Sequence, residues 1–374
     1  MKAIVATSTA FHLRHLAVAL GRTGWEVEFH SYLPRSKTRS YGLRDDQIVS
    51  HFRALLPWSA LALMRGGPRW LRPVRERLFA LIDRRIARAI GPAEVFVGLS
   101  AVAVASAARA RELGCLVLIE RGSSHILTQQ ATARASGGEE PSGLYVEREL
   151  ASYAEADRIV VLSRFAARTF AEHGEAADRL EIMPLGVDTT CFAAPPSQPA
   201  PPLRVLVAGV WSRRKGCDLI APMLDQVPGI TVTHAGLIGD LPLPRHPRFR
   251  SIGYQTHAGM AAAMAEHHLL VFPSRDDGFG MVMAEALACG LRVVASETSG
   301  GPDLAAMVGA PWVSLVPSGD GTALANAVRE QAETLDRDPA DFAVPEEKIS
   351  GLSWQAYGTR YVAMLERLLK DRRQ

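Results

Sequence analysis

Cysteine is scarce in this sequence and unpaired in its spacing: Cys115, Cys191, Cys217 and Cys289 stand far apart. That excludes a disulfide framework and a zinc-ligand pattern, and it fits a reducing cytoplasm. Long hydrophobic runs are missing, and no stretch reaches the roughly 18 apolar residues that a membrane span needs. The opening MKAIVATSTAF has one lysine and a short apolar run that stops at His12, Arg14 and His15, so it reads as a first buried strand rather than a signal peptide. No G-x-G-x-x-G follows the first strand of either half, which speaks against a dehydrogenase. Adjacent aspartates occur at Asp45–Asp46 and Asp276–Asp277. The first pair has no further ligands nearby and the second falls in a glycine loop, so no metal is expected.

What is present is length and alternation. A chain of 374 residues, 48% hydrophobic and 22% charged, is too long for one compact core and suits two domains. Short β-branched runs (2–7, 25–31, 94–99, 115–120, 158–163 and 179–184) alternate with amphipathic stretches such as 12–22, 101–113 and 147–156. The second half repeats the arrangement, with runs at 203–209, 230–236, 249–253, 269–274, 291–296 and 312–317. Strands fed by crossover helices form parallel sheets. Between the halves, AAPPSQPAPP cannot enter a central strand and reads as a linker. The expected division is therefore an N-terminal Rossmann-like domain over 1–192, a linker over 193–202, a second Rossmann-like domain over 203–352, and a terminal segment over 353–374. That segment reads as a helix with Trp354, Tyr357, Tyr361, Met364 and Leu368 on one face, returning to the first domain. Two doubly wound domains place a ligand cleft between the carboxyl ends of their strands. Fold alone still permits a transferase, an epimerase, a dehydrogenase or a binding protein.

The stretch Phe272–Ser296 narrows the choice. A strand ends at Ser274, the loop Gly278–Phe279–Gly280 follows, and a helix opens at Met281. Glycines let main-chain N–H groups approach a ligand, and a helix N-terminus favours an anion. Asp277 lies in the loop and Glu285 about two helical turns later, so both carboxylates suit hydrogen bonds from sugar hydroxyls. Singly, Asp277 would read as a helix cap and Glu285 as a solvated charge; the surrounding pattern favours a ligand. A second loop, after the strand ending at Gly209, carries Arg213, Arg214 and Lys215 before Gly216. Arginine offers a bidentate fork and lysine a point charge for a diphosphate. Arg213 is assigned to the surface.

These segments, with RIVVLSRFAARTF (158–170) and IMPLGVDTTCF (182–192), resemble family 4 of the glycosyltransferases, which have the GT-B fold. The resemblance covers most of the chain and is strongest from about Asp157 to Ser296. The family pattern has two glutamates around a Gly-Phe-Gly and a Lys-Gly after the first strand of the second domain. Here Asp277 replaces the first glutamate, Glu285 matches the second, and Lys215–Gly216 match the Lys-Gly. Val210 stands where many members have arginine, and the first loop TSTAFH lacks the usual glycine pair. The resemblance implies that Asp277 and the Gly278–Phe279–Gly280 backbone hold the donor sugar, Glu285 the ribose, and Arg214 with Lys215 the diphosphate. It places His125, five residues past a strand end, near the donor sugar or acceptor, with Arg121, Ser123 and Ser124 in support. A capped or buried histidine is the structural alternative. His15 reads as outward-facing, and His12 as the nearer of the two to an acceptor.

The expected activity is a retaining, metal-independent transfer of a hexose-type sugar from a nucleotide-sugar, a UDP-sugar in preference to GDP-mannose. The acceptor class is a carbohydrate, glycolipid or small molecule, and no cofactor is expected. Retention implies front-face attack, with the donor phosphate helping to take the acceptor proton. Gly253, Tyr254 and Gln255 are the base-contact candidates, and they do not separate uracil from guanine. An epimerase would need a catalytic carboxylate set across the cleft, which is not identifiable, and a non-catalytic binder is separated by turnover. Finally, Arg65–Arg88, with Trp58, Leu63, Trp70, Leu71, Leu78, Phe79 and Leu81, is basic amphipathic material. It suits peripheral contact with anionic lipid or an acidic acceptor. No nucleic-acid-binding module accompanies it, so nucleic acid is not an expected partner.

Overall fold

The computed structural model describes residues 1–8, 11–55, 72–195 and 199–374, with main chain only at 55 and 72–75. The first sheet contains β1 (Lys2–Ala6), β2 (Glu26–Ser31), β3 (Ile48–Ser50), β4 (Val95–Leu99), β5 (Leu116–Arg121), β6 (Arg158–Val161) and β7 (Leu180–Ile182). They are all parallel, in the order β3-β2-β1-β4-β5-β6-β7. The second sheet contains β8 (Arg204–Ala208), β9 (Thr231–Ala235), β10 (Phe249–Ser251), β11 (Leu269–Phe272), β12 (Arg292–Ser296) and β13 (Val313–Val316). It too is parallel, in the order β10-β9-β8-β11-β12-β13.

Both orders reverse beside the first strand, between β1 and β4 and between β8 and β11. A doubly wound sheet opens its crevice at that switch point. The central strands are apolar on both faces because helices cover both: β5 is buried throughout, and so is β11. Strand β3 and the short helix Arg35–Arg39 have too little pattern to stand out in the sequence. β7 and β10 have three residues each where longer runs were expected.

The terminal helix runs Trp354–Asp371, capped by Ser353, whose hydroxyl accepts from Ala356 N–H at 3.2 Å. It lies against the helix Leu13–Arg22 so closely that a Cβ on Gly358 would meet Ala19 Cβ at 2.5 Å. Val187 N–H donates to Leu352 C=O at 2.7 Å, and Arg367 pairs with Glu181. One buried apolar cluster extends from Val5, Leu16 and Leu185 through Tyr357 and Leu365 to Phe279 and Met283. The two sheets are thus joined by packing as well as by the connection at 193–202, of which 196–198 lie outside the described residues.

The arginine-rich stretch through 71 also lies outside the described residues. Its remainder is the helix Arg72–Ala89, which turns Leu78, Ile82 and Ile86 into the core. Arg77, Arg84, Arg85 and Arg88 face outward with Leu81, which is 59% exposed. The apolar face of this helix therefore serves the core. Buried Asp83 accepts from the N–H groups of Val104, Ala105 and Ser106 at 2.8–3.0 Å, covering the open N-terminus of the helix Ala105–Glu112. Among the described residues no helix is long and apolar enough to cross a membrane, and all four cysteines are free.

Candidate active site

The carboxyl end of β8 leads through Gly209, at φ +120°, into the loop carrying Arg214 and Lys215. Gly216 closes that loop at φ +70°, and a Cβ there would stand 2.0 Å from Pro273 C=O. Only glycine permits both the left-handed backbone and this approach to the end of β11. The two loops are then tied together. Arg275 N–H donates to Arg214 C=O at 2.8 Å, and the Arg214 guanidinium donates to Asp276 C=O at 2.6 Å. Arg275 grips Asp218 through two hydrogen bonds of 2.6 and 2.8 Å.

Lys215 Nζ is paired with Asp277 and sits 4.8 Å from the centre of the Phe272 ring. Burial pushes the Asp277 carboxyl up, but the charges of Lys215 and Arg214 outweigh it and hold the carboxyl below its ordinary value. Asp277 is not the helix cap. Its Oδ1 accepts from Phe279 N–H at 3.1 Å, while Gly280, at φ +78°, occupies the cap position of the helix Met281–Ala288 without a side-chain bond. The first amides of that helix are thus not capped by a side chain, and a helix start of this kind favours an anion. Phe279 is buried, and its C=O accepts from Gly300 N–H at 3.0 Å, which fixes the loop from behind.

Glu285, one face further along the helix, is not a solvated charge. Burial pushes its carboxyl up to about 7, and among the described residues it has no ion-pair partner. Met281 is half-buried at the helix start. Tyr254, 72% exposed beyond β10, stands at the rim and has no bond to the Lys215–Asp277 pair among the described residues.

The first domain approaches from β5. A Cβ on Gly278 would lie 2.5 Å from Gly122 C=O and 2.6 Å from Ser123 Cα, so the two domains touch at the glycine loop. Arg121 is buried, paired with Glu149, and donates to Ser124 C=O at 3.0 Å. It supports the loop from within.

His125 is the one expected catalytic residue that the structure does not bring to this cluster. It caps the helix Ile126–Ala135, its Nδ1 accepting from Leu127 N–H at 3.3 Å. Its ring is packed among His173, Phe170 and Tyr153 at centroid distances of 4.3, 4.9 and 5.3 Å. Burial, with the charges of His173 and Arg121, lowers its pKa to about 4. This is the capped, buried histidine that stood as the structural alternative. His15 is not outward-facing either, for it stacks on Trp354 at 3.8 Å.

Three groups were not singled out from the sequence. Asp276 is fully buried between the domains, and burial raises its carboxyl, with Ser124 and Arg214 acting against that shift. Asp303 crosses from the second domain to accept from Arg164 N–H at 3.0 Å. Glu120 is a fully buried carboxylate at the end of β5, bonded to His12. A charge ending an otherwise apolar strand was the available signal for Glu120.

Two family models match successive parts of the chain, Glycosyltransferase Family 4 over residues 9–190 and Glycosyl transferases group 1 over residues 202–333. A curated relative, the D-inositol 3-phosphate glycosyltransferase of Mycobacterium tuberculosis (strain ATCC 25618 / H37Rv), is 26% identical over 196 residues. That match covers 46% of this chain and 40% of the relative, so the chain spans about two fifths of the length of the curated relatives it matches. Among solved structures, sucrose-phosphate synthase from Thermosynechococcus elongatus superposes with a TM-score of 0.68 at 19% identity, covering 99% of both chains. Anabaena HepE in complex with UDP and glucose superposes at 0.64 and 14% identity, covering 98% of this chain and 100% of that one. The paired parallel sheets, the glycine loop at a helix start and both family matches lead to one statement: the chain belongs to the family 4 glycosyltransferases and is a transferase with the GT-B fold.

Proposed function

We propose that the chain moves a hexose-type sugar from a nucleotide-sugar to a carbohydrate, glycolipid or small-molecule acceptor, with retention of configuration and without a metal or other cofactor. The observation that carries this reading is the juxtaposition of Lys215 and Asp277 beside the Gly278–Phe279–Gly280 turn, at a helix start without a side-chain cap. Breaking the sugar–phosphate bond leaves negative charge on a diphosphate. Lys215, Arg214 and the first amides of the helix Met281–Ala288 are fixed donors for that charge. Asp277 and the glycine backbone take the sugar hydroxyls, and Glu285 takes the ribose. Gly209 leaves room beside the nucleotide, and Tyr254 lies on the base side. A UDP-sugar is the favoured donor, in keeping with the HepE complexes with UDP and with UDP-glucose.

The test is nucleotide release from UDP-, GDP- and ADP-sugars by the purified protein, each in excess chelator. Lys215→Ala should remain folded and lose about 10²–10³-fold in rate, as expected for removal of one preorganised donor. Release that needs an added divalent metal, or that survives Lys215→Ala, would refute the assignment. The anomeric configuration of the product, read by proton NMR, tests retention.

A further inference from the structure

The pair formed by His12 and Glu120 lies outside the donor cluster, and no role above uses it. His12 sits in the connection from β1 to the helix Leu13–Arg22, and Glu120 ends β5. The two are 108 positions apart, on either side of the β1–β4 switch point, where a doubly wound sheet takes its ligand. Two residues beyond Glu120, the Gly122 C=O lies against Gly278 of the donor loop. The pair therefore stands on the first-domain wall of the cleft, next to the place where the domains meet.

The chemistry of the pair is asymmetric. Glu120 has no exposed surface, whereas the His12 side chain is 10% exposed. An ionised carboxylate accepts, so His12 presents Nε2–H to Glu120 and Nδ1 carries a lone pair. Although His12 begins its helix, its side chain forms no cap bond, so Nδ1 is not spent on the backbone. Behind Glu120 stand the phenols of Tyr357 and Tyr361 from the terminal helix, both raised by burial first and then by the Glu120 charge. The carboxylate is thus enclosed by a histidine and two phenols, an arrangement that fixes one histidine tautomer.

We infer that His12 is a catalytic residue of the acceptor side, taking the proton of the incoming hydroxyl at Nδ1, and that Glu120 is its positioning residue. The inference rests on the donor-site reading above and replaces the donor phosphate as proton acceptor. In the step, the acceptor O–H proton passes to Nδ1 as the acceptor oxygen bonds the anomeric carbon. The bond from that carbon to the diphosphate breaks, and its electron pair leaves on the phosphate oxygen. A positioned base of this kind contributes about 10²–10⁴-fold.

Hydrolysis of UDP-glucose, in which water is the incoming hydroxyl, tests this directly, with UDP affinity measured by calorimetry alongside. The groups facing His12 are Glu120 and, on its own helix, His15; Tyr357 and Tyr361 face Glu120. Burial, then the Arg14 and His12 charges, lower His15 to about 3, so His15 does not titrate between about pH 5 and 8. His12→Gln should bind UDP as the wild type does, lose about 100-fold or more in hydrolysis, and lose the acid limb of the pH–rate profile. Glu120→Gln should lose rate in the same direction with UDP affinity retained. Imidazole added to His12→Gly should restore part of the rate, which no structural role would produce. Hydrolysis within about threefold of wild type in His12→Gln, an unchanged acid limb, or no imidazole rescue would each overturn the inference while leaving the donor site standing. A wild-type protein with no affinity for UDP, or one that binds UDP-glucose without hydrolysing it, would overturn it as well. Only the first of these two also removes the assignment of a UDP-sugar site.

Discussion

Replacing Glu285 with glutamine isolates the one donor-site carboxyl that burial alone displaces. Its pKa moves from 4.5 to about 7 because water is excluded from it while no cation replaces the lost solvation. A carboxyl raised on folding favours the folded state below its unfolded value. That contribution is lost as pH rises through the folded value. Between pH 5 and pH 8, the displacement from 4.5 to about 7 corresponds to about 2–3 kcal/mol of lost stability. Glu285→Gln keeps the shape and cannot ionise, so its stability relative to wild type should rise by about that amount from pH 5 to pH 8. Urea unfolding of both proteins across this range is the assay, and the difference between them cancels the histidines they share. If Glu285 receives ribose hydroxyls, UDP should stabilise wild type more at pH 8 than at pH 5.5, because only the carboxylate is a full acceptor. The same dependence should be absent from Glu285→Gln. A wild type and variant that run parallel from pH 5 to pH 8 would refute the burial argument. UDP stabilisation that is equally pH-dependent in both would refute the ribose role.

Gly278→Ala places a methyl group 2.5 Å from Gly122 C=O, and backbone on both sides must yield. Expected are about 1–3 kcal/mol of lost stability and a turnover loss near 10²-fold from a displaced donor loop; unaltered turnover with the same melting temperature would count against the interdomain contact. Asp83→Ala removes the acceptor of three main-chain N–H groups and the partner of Arg148, so it should cost about 3 kcal/mol or more by denaturant titration and leave UDP affinity intact in the folded fraction. We also propose that the outward arginines of the helix Arg72–Ala89 contact anionic lipid at about 1 kcal/mol each. Changing Arg77, Arg84, Arg85 and Arg88 to glutamate should then abolish sedimentation with phosphatidylserine vesicles, and equal sedimentation of both proteins would end that idea.

What was legible in the sequence was what neighbouring residues encode. The apolar runs are local, so the two parallel sheets could be read from them, and so could a glycine loop between a strand and a helix. Lys215 and Asp277 were each placed at a strand end by their own flanking residues, although they are 62 positions apart. Short edge strands carry too few residues for a period. Thus β3 went unseen, and β7 and β10 were drawn too long. His125 shows a different limit. Its position past a strand end was read correctly, but the direction of its ring is set by Phe170 and Tyr153, which arrive from other helices.

The same limit separates the two adjacent aspartates. Asp276 and Asp277 have the same local sequence, yet one meets Lys215 and the other is buried beside Ser124, because the chain turns between them and the domains close on the turn. Sequence spacing states that carboxylates stand at the end of β11, whereas the packed domains decide which of them stays ionised. The His12–Glu120 pair carries this furthest, since each half is unremarkable in its own segment: a histidine before a helix and a glutamate ending a strand. Their union needs β1 and β5 to flank β4 in one parallel sheet, with the terminal helix closing over Glu120. Residues that the fold alone brings together, and whose charges it buries only as a pair, are therefore where a functional role lies beyond the reach of local sequence motifs.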